Sequence, residues 1–318
     1  MRKVIFILSF LILQAGKSLE AASIKISFLD NKGAIQQTAD FLLSRGCDQN
    51  SVNSFTRVVD WYNSSPTDLD FGKFPKRESG FYSFESVPTL LAALSRPLIY
   101  THHPNELNCF ETVILVAGSL IKTKLQPDDV SAGPFLPPIT VTNNVVTAKA
   151  AATPRDAFTL INPPWWIDAS KNIFNGPMQD KRICLTAAFD SFYILPGFTT
   201  KENAGNELLK LLQSSWKREG MEFPKNIKVV ICYDVTMDDQ NFSRAVSSHA
   251  GLLFQDDEQY VFIEKLGDCA PYVRFDFKDK NDLFLWLRGE LDPTMNKDDL
   301  LFVSFNDNEG NVINEISR

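Results

Sequence analysis

Two hydrophobic periods divide this chain, and that division constrains the fold more than any single motif. In the first third, apolar side chains recur at helical spacing; after Gly220 they alternate or run continuously, as in strands. Ala34, Ile35, Thr38, Phe41 and Leu42 line one side of a helix over Gly33 to Ser44, with Arg45-Gly46 as its stop. Asp48 caps a second helix with the stripe Val52, Phe55, Val58, Val59 and Tyr62, ended by Asn63-Ser64-Ser65-Pro66. An irregular connection is expected to about Tyr82, then a shorter helix from Glu85 to Leu94, then a helix from Cys109 that fades near Lys124. Beyond a loop over Pro127 to Pro138, Ile139 to Val146 reads as a strand and Glu202 to Arg218 as an amphipathic helix. Strands follow at Ile227 to Tyr233, Ala250 to Phe254, Tyr260 to Lys265, Tyr272 to Phe277 and Leu300 to Phe305, with a short helix over Asn281 to Glu290. Hairpin-length links make the sheet antiparallel. The expectation is an α+β fold, with a helical N-terminal half packed on an antiparallel β-sheet. No internal repeat is visible. One domain is expected over 23–318, with helical part 33–125, insertion 126–200 and sheet part 201–318.

The first residues carry an address. Arg2 and Lys3 precede an apolar run, Val4 to Leu13, that is too short to span a bilayer, and Leu19-Glu20-Ala21 offers a cleavage site. Residues 1–22 are therefore read as a signal peptide and the protein as exported to a periplasm or the exterior. No cysteine near that junction offers a lipid anchor, and no later run is long enough for a membrane span. Loss of three cations and one anion with the signal takes the net charge from −7 to −9. So acidic a chain, without a basic stripe, is poorly suited to nucleic acid or an anionic membrane.

Five cysteines, Cys47, Cys109, Cys184, Cys232 and Cys269, leave at least one thiol unpaired in a monomer, which is the expected state. Their scattered spacing indicates neither a zinc site nor a redox pair, and no cofactor is implied. Cys109 falls in the first turn of its helix, after Pro104 and the capping candidates Asn105 and Asn108. There the unpaired N–H groups and the helix dipole favour a thiolate. The alternative is a buried structural cysteine beside Val113 and Leu115. The chain has three histidines, His102, His103 and His249. His102 and His103 precede a proline in a loop; with Cys109 they lack a fourth ligand for a metal site. His249 opens the strand Ala250 to Phe254, where a base could face a helix N-terminus. Glu264, on the next strand, could hold the second imidazole nitrogen. The bland readings are an edge histidine and a solvated strand glutamate.

Cysteine at a helix start, then His249-Ala250-Gly251, then Phe262-Ile263-Glu264 resembles papain-like cysteine hydrolases of the NlpC type. The likeness extends to a little-characterised exported bacterial family, a domain of unknown function in that superfamily. Asn108-Cys109, Phe262-Ile263-Glu264-Lys265-Leu266 and Pro271-Tyr272 carry it, from roughly Gly33 to the C-terminus. The resemblance implies a papain-like fold and cell-wall amidase or endopeptidase chemistry. Two departures stand out: Asn108-Cys109-Phe110-Glu111 replaces the usual Asp-Cys-Ser-Gly, and Glu264 stands where His, Asn or Gln is common.

The resulting expectation is an exported cysteine hydrolase or acyltransferase acting on an amide or ester, with a peptidoglycan peptide as the substrate the resemblance implies. Cys109 attacks, His249 is base and later acid, and Glu264 orients it. Asn108 and the Cys109 N–H shape the oxyanion site, with Tyr100 as a second donor. Trp165 and Trp166, after the pair Pro163-Pro164, could stack on a sugar or peptide, or plug a loop against the core. The rival expectation is a non-catalytic binding or cell-surface protein that keeps the fold.

Overall fold

The computed structural model describes residues 24–63, 74–75, 77–94, 107–127, 139–142, 145–148, 173–174, 177–189, 193–196, 213, 216–237, 242–255, 259–267, 270–291, 302–306 and 312–317. The signal region, Tyr100, His102, His103, Trp165, Trp166 and Cys269, with most of the expected helix over Glu202 to Arg218, lie outside them.

Helix α1 (Lys32–Ser44) starts at Asn31, whose side chain accepts the Ala34 N–H. It stops where Gly46 adopts φ +87°, with the Cys47 N–H returning to the Leu42 carbonyl. Asp48 accepts the Ser51 N–H at the head of α2 (Gln49–Asn63). Helix α3 (Val87–Ala93) has a capping box between Ser86 and Thr89. Helix α4 (Cys109–Ala117) ends at Gly118 rather than near Lys124. Glycine is a weak helix former, and the chain beyond it turns to pair Lys122 with Glu222. Two further helices are α5 (Pro177–Phe189), which periodicity did not reveal, and α6 (Lys280–Leu291).

Strands β1 (Ile24–Ser27), β2 (Tyr82–Phe84), β5 (Tyr193–Pro196), β6 (Lys228–Met237), β7 (Phe242–Gln255), β8 (Tyr260–Lys265), β9 (Tyr272–Phe277), β10 (Phe302–Asn306) and β11 (Val312–Ser317) join in one sheet. Their order is β11-β10-β6-β7-β8-β9-β1-β2, with β5 against β7, and every pairing is antiparallel. The segment expected as one strand over Ile139 to Val146 is instead a separate antiparallel pair, β3 (Ile139–Thr142) with β4 (Val145–Ala148). The molecule is α+β. Among the described residues no helix is long and apolar enough to cross a membrane.

Both faces of the sheet are covered, which is why its central strands read as continuous apolar runs. On one face Val229, Ile231, Ala250, Leu252, Phe254, Val261, Ile263 and Tyr272 pack with α1, α2 and α4. On the other, Val230, Cys232, Leu253, Phe262, Val273 and Phe275 pack with α3 and with Leu283, Trp286 and Leu287 of α6. Side chains alternate between the faces along each strand. Gly251 lies beneath the Phe262 ring so closely that any β-carbon there would collide with it. Among the described residues, Val246, Ser247, His249 and Ala250 of β7 pair with β6 on one side and with no strand on the other, because β5 pairs only as far as Ala245 and pairing with β8 starts at Gly251.

Candidate functional site

The start of α4 is built with care for its backbone. Asn108, at φ −77° and ψ 179°, accepts the Glu111 N–H at 2.7 Å, while Glu111 Oε2 accepts the Asn108 N–H at 3.2 Å. Glu111 is fully buried, and its other oxygen receives the guanidinium of Arg182 on α5, also fully buried. The Arg182 guanidinium lies over the Phe174 ring. A carboxylate and a guanidinium this deep must neutralise each other, since neither could be buried alone.

Upstream, Leu107 is fully buried; its N–H donates to the Tyr272 hydroxyl at 3.2 Å, and that hydroxyl reaches the Leu107 carbonyl at 3.4 Å. Between these anchors sits Cys109, partly exposed, whereas Cys47, Cys184 and Cys232 are buried. No disulfide joins these four. Thr112 N–H returns to the Asn108 carbonyl and Glu111 N–H to its side chain. Among the described residues nothing accepts the N–H groups of Cys109 and Phe110. Two donors therefore stand beside the thiol at the positive end of a helix.

His249 and Glu264 form a pair elsewhere. His249 Nε2 lies 2.5 Å from Glu264 Oε2, and Trp286 of α6 donates its indole N–H to Glu264 Oε1 at 2.7 Å. The glutamate is fully buried and His249 nearly so, which replaces the reading of Glu264 as a solvated strand residue.

The expectation that His249 faces the helix start needs correction. Register places His249 opposite Cys232 of β6 and Gly251 opposite Glu264 of β8. Cys232, Phe262 and Trp286 all belong to the α3/α6 face, whereas Cys109 packs against the α4 face. Its neighbour Ala250 holds the helix-facing position, so alternation sends the imidazole the other way. Nor does His249 open a strand: β7 begins seven residues earlier, at Phe242, with a register shift beside Tyr233. The structure thus joins the imidazole to the carboxylate and does not join the thiol to them.

Lys265 explains the other half of the Phe-Ile-Glu-Lys-Leu stretch. Next to Glu264 on β8, it points to the α4 face, fully buried, and gives its ammonium to the carbonyls of Gly267 and Ala270 at 2.8 and 2.6 Å. That ammonium also lies over the rings of Tyr62 and Tyr272.

Sequence reasoning missed Arg182, Trp286 and the Tyr272 hydroxyl. Asn108-x-x-Glu111 was a legible capping-box signal for the glutamate; nothing local marks Arg182 or Trp286 as its counterparts. A separate cleft of about 410 Å³ opens beyond the far end of α4, walled by Lys122, Gln126, Lys181 and Cys184 among others, and burial lowers the Lys181 pKa. Among the described residues no group of three or more metal-ligating side chains is gathered.

The chain is thus an α+β protein with one antiparallel sheet carrying a buried imidazole–carboxylate pair and a capped helix bearing a thiol. Residues 185–308 match a family described as a domain of unknown function (DUF4300), a span that holds Cys232, His249, Glu264 and Trp286 but not Cys109. No curated protein and no solved structure matches the chain.

Proposed function

We propose that the protein is an exported cysteine hydrolase or acyltransferase acting on an amide or ester, with Cys109 as nucleophile. One observation carries this reading: the partly exposed Cys109 lies beside its own N–H and that of Phe110, neither taken by a described acceptor. A carbonyl attacked by the thiol would place its developing oxyanion against those donors. The helix start is held on both sides of the cysteine, so the donors are oriented before substrate arrives. His249, oriented by Glu264, is the general base of this reading, which requires the imidazole and the thiol to come together in the substrate complex. Catalytic hydrogen bonds often close only in the substrate complex. The papain-like resemblance supports the same chemistry and names a cell-wall peptide as substrate; export rests on the signal-like residues 1–22.

A second reading is favoured by the opposed faces of Cys109 and His249: a non-catalytic binding or cell-surface protein whose His249–Glu264–Trp286 array is structural. Turnover of muropeptides and simple esters by the parent, Cys109→Ala and His249→Ala separates the two. The enzyme reading expects activity in the parent and its loss in either variant with the melting temperature retained, the double variant being no worse than either single one. Binding of one of these compounds without turnover, unchanged in Cys109→Ala, establishes the second.

A further inference from the structure

We infer that Tyr272 is a positioning residue for Cys109, an inference that rests on the reading of Cys109 as the nucleophile. Leu107 is the residue before the cap of α4 and is fully buried in apolar surroundings. Its peptide N–H and carbonyl need partners there. The Tyr272 hydroxyl meets both, accepting from the N–H and donating to the carbonyl. Leu107 thereby fixes the direction from which the chain enters Asn108, and with it the place of the Cys109 thiol and of the two first-turn donors.

Tyr272 is itself held from the backbone outward. Its N–H donates to Asn63 Oδ1 at 3.3 Å and its carbonyl accepts from Asn63 Nδ2 at 3.1 Å, tying the start of β9 to the end of α2. Edge-on packing against Tyr62 and Phe55, with ring centroids at 5.4 and 6.3 Å, fixes the ring. The Lys265 ammonium lies over the Tyr272 ring, 5.3 Å from its centroid, and is committed to two loop carbonyls. Each of these contacts comes from the sheet or from α2, none from α4. The hydroxyl therefore transmits the position of the sheet to the helix start, independently of Glu111 and Arg182, which hold the same turn from the other side.

Two conservative variants test this. Tyr272→Phe removes the hydroxyl and keeps the ring. Tyr62→Phe removes a hydroxyl of the same cluster, one that accepts from Lys265 Nζ at 3.4 Å, while the Leu107 hydrogen bonds are to Tyr272. In the full chain, alkylation of Cys109 by iodoacetamide should slow by about fivefold in Tyr272→Phe, the equivalent of one hydrogen bond. Amide hydrogen exchange over Leu107 to Thr112 should quicken by a similar factor. Tyr62→Phe should change neither, whatever it does to the melting temperature. Should Tyr272→Phe not fold, Lys265→Met, which releases the ring but keeps the hydroxyl, should give smaller changes of the same sign. Unaltered alkylation and exchange in Tyr272→Phe, or equal changes in Tyr62→Phe, overturn the inference. If Cys109 of the parent is not labelled ahead of the other cysteines, the nucleophile reading fails, and exchange over Leu107 to Thr112 still decides whether Tyr272 holds the turn.

Discussion

The two faces of the sheet bury charged and polar groups for different ends. On the α4 face, Glu111, Lys265 and Tyr272 each hold backbone, a cap, loop carbonyls or a buried peptide, and Arg182 holds the Glu111 carboxylate. On the α6 face, the contacts that join His249, Glu264 and Trp286 run from side chain to side chain. The first arrangement fixes where a partly exposed thiol lies. The second fixes the tilt of an imidazole and leaves little of it in contact with solvent. A polar group that anchors backbone governs local geometry, whereas a side-chain array governs its own orientation and protonation. The difference teaches that the thiol half and the imidazole half of the proposed chemistry are stabilised separately, and variants can address each half alone.

The strongest test of that separation is Arg182→Ala. It strands the Glu111 carboxylate in the core and should cost about 3–5 kcal/mol, read as a fall in denaturation midpoint. It should also loosen the Asn108 cap and alter Cys109 alkylation. Next in size, Glu264→Ala strands the His249 ring nitrogen and the Trp286 indole N–H, at about 1–3 kcal/mol for each. It should leave Cys109 alkylation as in the parent, while any turnover is lost. A change in alkylation would show that the faces are coupled at rest. Combining Arg182→Ala with Glu264→Ala should give an additive loss, within about 0.5 kcal/mol, if the two faces are independent.

Smaller is Asn108→Ala, which removes one cap and should cost about 1 kcal/mol by chemical denaturation. The effect should appear in exchange of the Glu111 amide before it appears anywhere on the α6 face. Smallest is a pH effect on Cys47. Burial, with a lesser contribution from Asp48, pushes this thiol from an ordinary 9.0 up to about 12. The folded chain thus keeps a proton that the unfolded chain releases above about pH 9. Its stabilising contribution is complete below that pH and declines as pH rises toward 12. Thermal melts at pH 8 and pH 10 should show a smaller decline in Cys47→Ala than in the parent, and Cys47 should resist iodoacetamide at pH 8.

Most of the helices and the central strands were legible because their signals are local. The Asn63 end of α2, Gly46 after α1 and the alternation along β8 and β9 are set by residues within one or two turns of themselves. The strands missed, β1, β2, β5 and β11, are short pieces of three to six residues, and the partners of the first three lie far away in sequence. Helix α5 was hidden because its apolar and polar residues follow no clear stripe, and Arg182 within it is buried by an ion pair instead.

By itself the sequence determined that a cysteine would begin a capped helix, that His249 and Glu264 would lie on adjacent strands, and that the whole would be α+β. Spacing is enough for those statements, since caps act over three residues and strands alternate with a period of two. Only the tertiary structure decided which way His249 faces. A shift of one residue in register moves a side chain from one face of a sheet to the other, and the register of β7 is set by β6, β5 and β8 together. The same holds for Arg182, Trp286 and Tyr272: their partners lie 71, 22 and 165 residues away. Burial brought these groups together, and the need to satisfy each polar atom once it left water selected the contacts that remain.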